Sequence, residues 1–294
     1  MKLKIFAVIF ILGILASVSY AEAQKDDFPS NTIENTTETK ATNEEEQKIS
    51  GLTETSSVES QENEVQAATE PHQETQTQQE TQIQHATQTQ QEIQPQNGKI
   101  IINNVPHIQQ MPELARGCEV TSLAMLLQYA GVAVDKMTLA KQIKTIPFRD
   151  QNGLKGNPND GFVGDIYSFK NSGYGVYHGP IVDLAEIYLP GRIIDLTGQN
   201  IDSVYNMLIK GSPVWVITNS RFASLPQSEF STWDTASGKV QITYREHSVL
   251  LVGYDENYVY LNDPLAEQGN KTIPRDSFEE SWIQMGKQAI SFQS

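Results

Sequence analysis

The chain has 294 residues, a formal net charge of −15 and one cysteine, Cys118. A lone thiol excludes an intrachain disulfide. The acidity says little about the folded part, because residues 24 to 98 hold 15 acidic against 3 basic side chains and so carry −12 of the total; residues 99 to 294 balance to −4, which gives no electrostatic ground for nucleic acid or anionic lipid as partner.

Lys2 and Lys4 precede an apolar run from Ile5 to Val18, followed by small residues around Ala21 and Ala23. This predicts a cleavable signal peptide over residues 1–23. The run is shorter than the roughly 20 residues that cross a bilayer, so no stable membrane span is expected after cleavage. Residues 24–98 are Gln, Thr, Glu, Asn and Ser with Phe28 as the sole aromatic. Such a composition cannot offset the entropy of ordering, which predicts a disordered linker or wall-spanning stalk. The expected location is secreted, in or beyond the cell wall.

Residues 99–294 are long enough for one substantial core. Apolar residues at Val120, Leu123, Ala124, Leu127 and Ala130 have helical spacing, so Cys118 to Ala130 reads as a buried helix stopped by Gly131, with Cys118 in its first turn. Further helices are expected over Thr138 to Ile143 and Ile201 to Lys210. Asn152 to Gly164 reads as a loop rich in Gly, Asn, Asp and Pro. Val214 to Thr218, His247 to Tyr254 and Tyr258 to Asn262 read as strands. Helices first and strands later predict an α+β domain.

A thiol at a helix N-terminus meets free N–H groups and the positive end of the dipole, which favour thiolate. The alternative is a small buried hydrophobe. His247 gains significance from its register with Asp263. If Asp255 to Asn257 form a three-residue hairpin loop, Tyr254 pairs with Tyr258, Val249 faces Asp263, and His247 becomes a diagonal neighbour of Asp263 on one face. A loop one residue different reverses this. His247 and Asp263 follow Cys118 by 129 and 145 residues, near the separation of roughly 130 to 150 in papain-like enzymes. Gln109 and Gln110 lie just upstream, and either offers an amide donor for an oxyanion.

Asn157, Asn159, Asp160 and Asp165 lack the alternating pattern of a calcium loop, and no metal or cofactor is expected. His107 and His178 have no partner identifiable from spacing. Trp215, Trp233 and Trp282 are read as core or cleft wall.

The segments Val105-Pro-His-Ile-Gln-Gln, Arg116-Gly-Cys-Glu-Val-Thr-Ser-Leu-Ala-Met-Leu-Leu, His247-Ser-Val-Leu-Leu-Val-Gly-Tyr-Asp and Asn262-Asp-Pro resemble the stand-alone bacterial relatives of the bacteriocin-leader (double-glycine) cysteine peptidases, family 39 of the papain-like class. The block from Gly156 to Asp165 resembles the same subgroup. The resemblance implies a papain-like fold in which an N-terminal helix carrying the Cys packs on an antiparallel sheet carrying His and Asp. It implies Cys118 as nucleophile, His247 as base, Asp263 as its orienting partner and Gln110 as oxyanion donor. The function expected is a secreted thiol peptidase or amidase acting on a peptide or protein substrate, with the cell envelope as one place to find it. The transporter-linked members carry an ATP-binding cassette and transmembrane helices that do not occur in this sequence, so leader processing during export is not implied. Two other readings remain: a non-catalytic binding domain displayed on the stalk, and an acyl transferase or deamidase using the same triad.

Overall fold

The computed structural model describes residues 98–293. The signal peptide expected over 1–23 and the linker expected over 24–98, save Gly98, lie outside the described residues. Among the described residues no helix is long and apolar enough to cross a membrane.

Alternation along two central strands organises the domain. β5 (Val214–Asn219) and β8 (Glu246–Tyr254) pair antiparallel, and both are buried on both faces. Trp215, Ile217, Leu250 and Val252 point to one side, where they meet α1 (Cys118–Tyr129), α2 (Lys136–Gln142) and α3 (His178–Tyr188). Val214, Val216, Val249 and Leu251 point to the other, where they meet α4 (Ile201–Ile209) and α5 (Arg275–Gln284). Each fully buried Leu, Ile or Val on these faces contributes about 1.5–3 kcal/mol relative to exposure. A strand flanked by helices on both sides carries apolar residues at consecutive positions, and that is why β8 reads His-Ser-Val-Leu-Leu-Val.

The sheet runs in the order β10 (Lys271–Pro274), β9 (Tyr258–Asn262), β8, β5, β11 (Ala289–Phe292), β4 (Ile193–Asp195), with β1 (Ile100–Ile101) pairing β8 near its C-terminal end. The pairings within this sheet are antiparallel. β2 (Thr145–Ile146) and β3 (Phe162–Val163) form a parallel pair, and β6 (Ser231–Thr235) and β7 (Gly238–Ile242) a hairpin.

The domain is α+β with the papain-like helix-on-sheet arrangement, as expected. The simple order of helices first and strands later does not hold: β1 to β4 precede β5, and α5 follows β10. The early strands have only two or three residues, too few to display a period of two. The expected helices over 118–130, 138–143 and 201–210 appear with small shifts at their ends. Asp135 caps α2 by accepting a 2.8 Å bond from the Thr138 N–H, so that helix begins two residues early. The three tryptophans are core residues, with Trp215 and Trp282 fully enclosed.

Candidate active site

The β8–β9 hairpin brings His247 and Asp263 together by a route that differs at its tip from the expected one. Tyr254 pairs with Val259 rather than Tyr258, so the connecting loop has one more residue, Asp255 to Tyr258. Asp255 organises it by accepting from the Asn257 and Tyr258 N–H groups at 2.9 and 2.8 Å. A bulge between Leu251 and Gly253 takes up the extra residue, and from there Leu251 faces Leu261 and Leu250 faces Asn262. That register places Val249 opposite Asp263, so His247 and Asp263 share the face expected.

His247 Nε2 lies 2.7 Å from Asp263 Oδ1, and both side chains are almost wholly enclosed. Asp263 Oδ1 also accepts from the Leu265 N–H, and Oδ2 pairs with Lys271 Nζ at 2.7 Å. Burial acts to raise the Asp263 carboxyl, but the His247 imidazole and the Lys271 ammonium outweigh it and hold the group well below the usual carboxylate range. His247 Nδ1 is buried and has no hydrogen-bond partner. The Phe222 ring stands edge-on to the imidazole at 6.0 Å between centroids.

Cys118 is the first residue of α1, as expected, with Gly117 at the N-cap. Gly117 is required there, because a Cβ would strike the Leu114 side chain at 2.6 Å. The expected stabilisation of thiolate is overturned. The sulfur is buried, its S–H donates to Glu119 Oε2 at 3.3 Å, and Glu119 and Glu246 each offer an oxygen within 4.8 Å of it and of one another. Burial first, then the electrostatic repulsion offered by the neighbouring Glu119 and Glu246 carboxyls, push the thiol well above its ordinary value; a favourable contribution from the Ser248 backbone N–H does not compensate. Alternation explains the neighbours: Glu246 and Ser248 project toward α1 with Leu250, while His247 shares the face of Val249. Of the two contacts a triad requires, His247–Asp263 is made and Cys118–His247 is not.

Gln110 is fully buried, and its amide donates to the Leu114 and Ala115 carbonyls at 3.2 and 3.3 Å, leaving Oε1 without a partner. In this arrangement its N–H groups brace the turn before α1 rather than facing a substrate. Gln109 is exposed and donates to the Ala266 carbonyl. Arg116 organises the segment beyond the turn: its Nη1 donates to the carbonyls of Asp165, Ser168 and Asn171 at 3.2, 2.7 and 3.2 Å.

The Asn157 and Asp165 side chains accept from backbone N–H groups two residues on, at Asn159 and Tyr167, which makes them turn formers. His107 Nε2 lies 3.0 Å from the Asp263 carbonyl oxygen, and His178 pairs with Asp195 at 2.8 Å. A cleft of about 310 Å³ opens beside His178 and Tyr177, lined also by Asn159, Phe230, Gln241 and Gln288.

Sequence reasoning missed Glu119 and Glu246. The available signal was a carboxylate inside a helix and a strand that are otherwise buried, where an acid has no water to solvate it.

Comparison with known proteins places the chain. The model of the Peptidase_C39-like family matches residues 102–290. The uncharacterised protein YvpB of Bacillus subtilis (strain 168) is 53% identical over 182 residues, 62% of this chain and 71% of that protein. A crystal structure from Bacillus anthracis, described as a candidate C39-like peptidase, is 56% identical, covers 67% of this chain and 98% of its own, and superposes with a TM-score of 0.66. The chain belongs to the Peptidase_C39-like family.

Proposed function

We propose that this domain is a secreted thiol peptidase or amidase that hydrolyses peptide or amide bonds of envelope proteins through Cys118, His247 and Asp263. The observation that carries this reading is the division of labour on His247: Nε2 is held by Asp263 at 2.7 Å, while Nδ1 is buried and unpartnered, ready to accept a proton. The sulfur lies against Ser248, the next residue in the strand.

In the reaction, Cys118 leaves Glu119, the start of β8 shifts to bring His247 within reach of the sulfur, and the S–H proton passes to His247 Nδ1. The sulfur electron pair attacks the amide carbonyl. The Cys118 backbone N–H at the start of α1 stabilises the oxyanion, joined by the Gln110 amide once it leaves the Leu114 and Ala115 carbonyls. His247 then protonates the departing amine and activates water to release the acyl group, while Asp263 keeps the ring oriented.

The test is incubation of the protein with casein and a peptide library, with mass spectrometry of new N-termini, against Cys118→Ala and His247→Ala. Cleavage by the wild type that falls at least about a thousandfold in both variants supports the reading; absent cleavage, or cleavage equal in all three proteins, sinks it. The enclosure of the thiol favours a second reading, a binding domain with a structural cysteine. Under that reading, iodoacetamide labels Cys118 only along an ordinary thiol titration that His247→Ala leaves unchanged.

A further inference from the structure

Two carboxyl groups lie side by side under the sulfur. Glu119 Oε1 accepts from the Val176 N–H at 2.8 Å, and Glu119 Oε2 accepts from the Cys118 S–H at 3.3 Å. Glu246 is buried, and its Oε1 has no partner. Gly175 leaves room for both: a Cβ there would lie 3.0 Å from Glu246 Oε2 and closer still to Glu119 Oε1. The titratable groups facing the pair are Cys118 from α1, His247 from β8, and Tyr174 and Tyr177 from the segment before α3. The Trp215 Nε1–H on β5 donates to the Glu119 carbonyl at 2.9 Å and fixes the backbone beneath them. Two carboxylates this close, shut away from water, cannot both ionise, because the second charge meets the first without solvent between them.

We propose that Glu119 and Glu246 share a proton and act as positioning residues that hold Cys118 as a resting thiol, so that the ionisation of the pair governs release of the sulfur to His247. When the pair carries a negative charge, Glu119 accepts the S–H bond and repels a thiolate; when both carboxyls are protonated, the repulsion is gone. In the release step the proton passes from Sγ to His247 Nδ1, the electron pair stays on sulfur, and the carboxyl pair keeps its own protons. The direction agrees with electrostatics: burial lifts Glu119 to about 7 and, with Glu119 beside it, lifts Glu246 well above the carboxylate range. The consequence for catalysis rests on the peptidase reading, whereas the proton sharing does not.

Because the chain has one cysteine, thiolate absorbance in the ultraviolet reports Cys118 alone once a Cys118→Ser titration is subtracted. Glu119→Gln and Glu246→Gln are each expected to lower the thiolate midpoint by about one pH unit or more. Midpoints that coincide with the wild type in both variants overturn the proposal. Infrared spectroscopy of the unmodified protein guards against variants that do not fold: a protonated carboxylic acid band is expected at neutral pH, and its absence also overturns the proposal. The peptidase reading fails separately, if the protein cleaves nothing while the Gln variants still shift the midpoint.

Discussion

The 2.7 Å contact between His247 Nε2 and Asp263 Oδ1 depends on a bulge several residues away on the same strand. Without the residue taken up between Leu251 and Gly253, the four-residue loop would turn the carboxylate to the opposite face from the imidazole.

Asp263→Ala removes the anion from an enclosed pair and leaves His247 and Lys271 unmatched. The expected loss is about 3–5 kcal/mol of unfolding free energy, read from urea midpoints. Asp263→Asn keeps an acceptor for Nε2, so it is expected to lose less stability and to retain more cleavage activity than the alanine variant. Equal losses in the two variants would contradict an orienting role for the carboxylate.

Acid and alkaline conditions act on different parts of the site. Asp263 is held below its ordinary value, so its contribution is present above about pH 4 and is lost only as pH falls through its lowered folded value. Glu119 is raised to about 7, so its contribution is complete below its ordinary value and is lost as pH rises through about 7. The unfolding free energy of the wild type, read from urea midpoints, is therefore expected to fall between pH 5 and pH 8 by on the order of 2–4 kcal/mol. Glu119→Gln is expected to flatten that decline, and a decline of the same size in the variant would refute the assignment.

Arg116→Lys exchanges a planar fork for a point charge and cannot serve the three carbonyls of Asp165, Ser168 and Asn171 in the same geometry. The expected cost is about 1–3 kcal/mol. Limited proteolysis is expected to cut faster between residues 165 and 171, and an unchanged cleavage pattern would argue that the loop holds itself.

Gly253→Ala tests the bulge. A Cβ at Gly253 would press into the Ile100 carbonyl and lie 3.0 Å from the Ile101 Cα, forcing β1 away from β8. A loss of about 1–3 kcal/mol is expected. If the bulge shifts, the histidine NMR resonance of His247 moves as well; stability and resonance both unchanged would show that β1 yields without cost.

Much of this was legible in the chain. The apolar spacing through Val120, Leu123 and Leu127 located α1, and the unbroken apolar run after His247 located the central strand. The pairing of His247 with Asp263 followed from a register that was right along the strands and one residue short at the tip, with the two departures cancelling at the site. The state of Cys118 was not legible, because its position on a helix argued for thiolate, while burial decides the matter first and the acidic groups that add to it are Glu246 on a distant strand and the neighbouring Glu119. The task of Gln110 was equally hidden, since its donors serve carbonyls only four and five residues ahead through a turn that has no periodicity.

The enclosed S–H of Cys118, donating to Glu119, also bears on chemical lifetime. Peroxide and disulfides react with the ionised sulfur far faster than with the protonated one. Under the peptidase reading proposed above, a nucleophile stored in its protonated, covered form is shielded from oxidants for as long as it waits, and is exposed to them only during the interval in which it is also exposed to substrate.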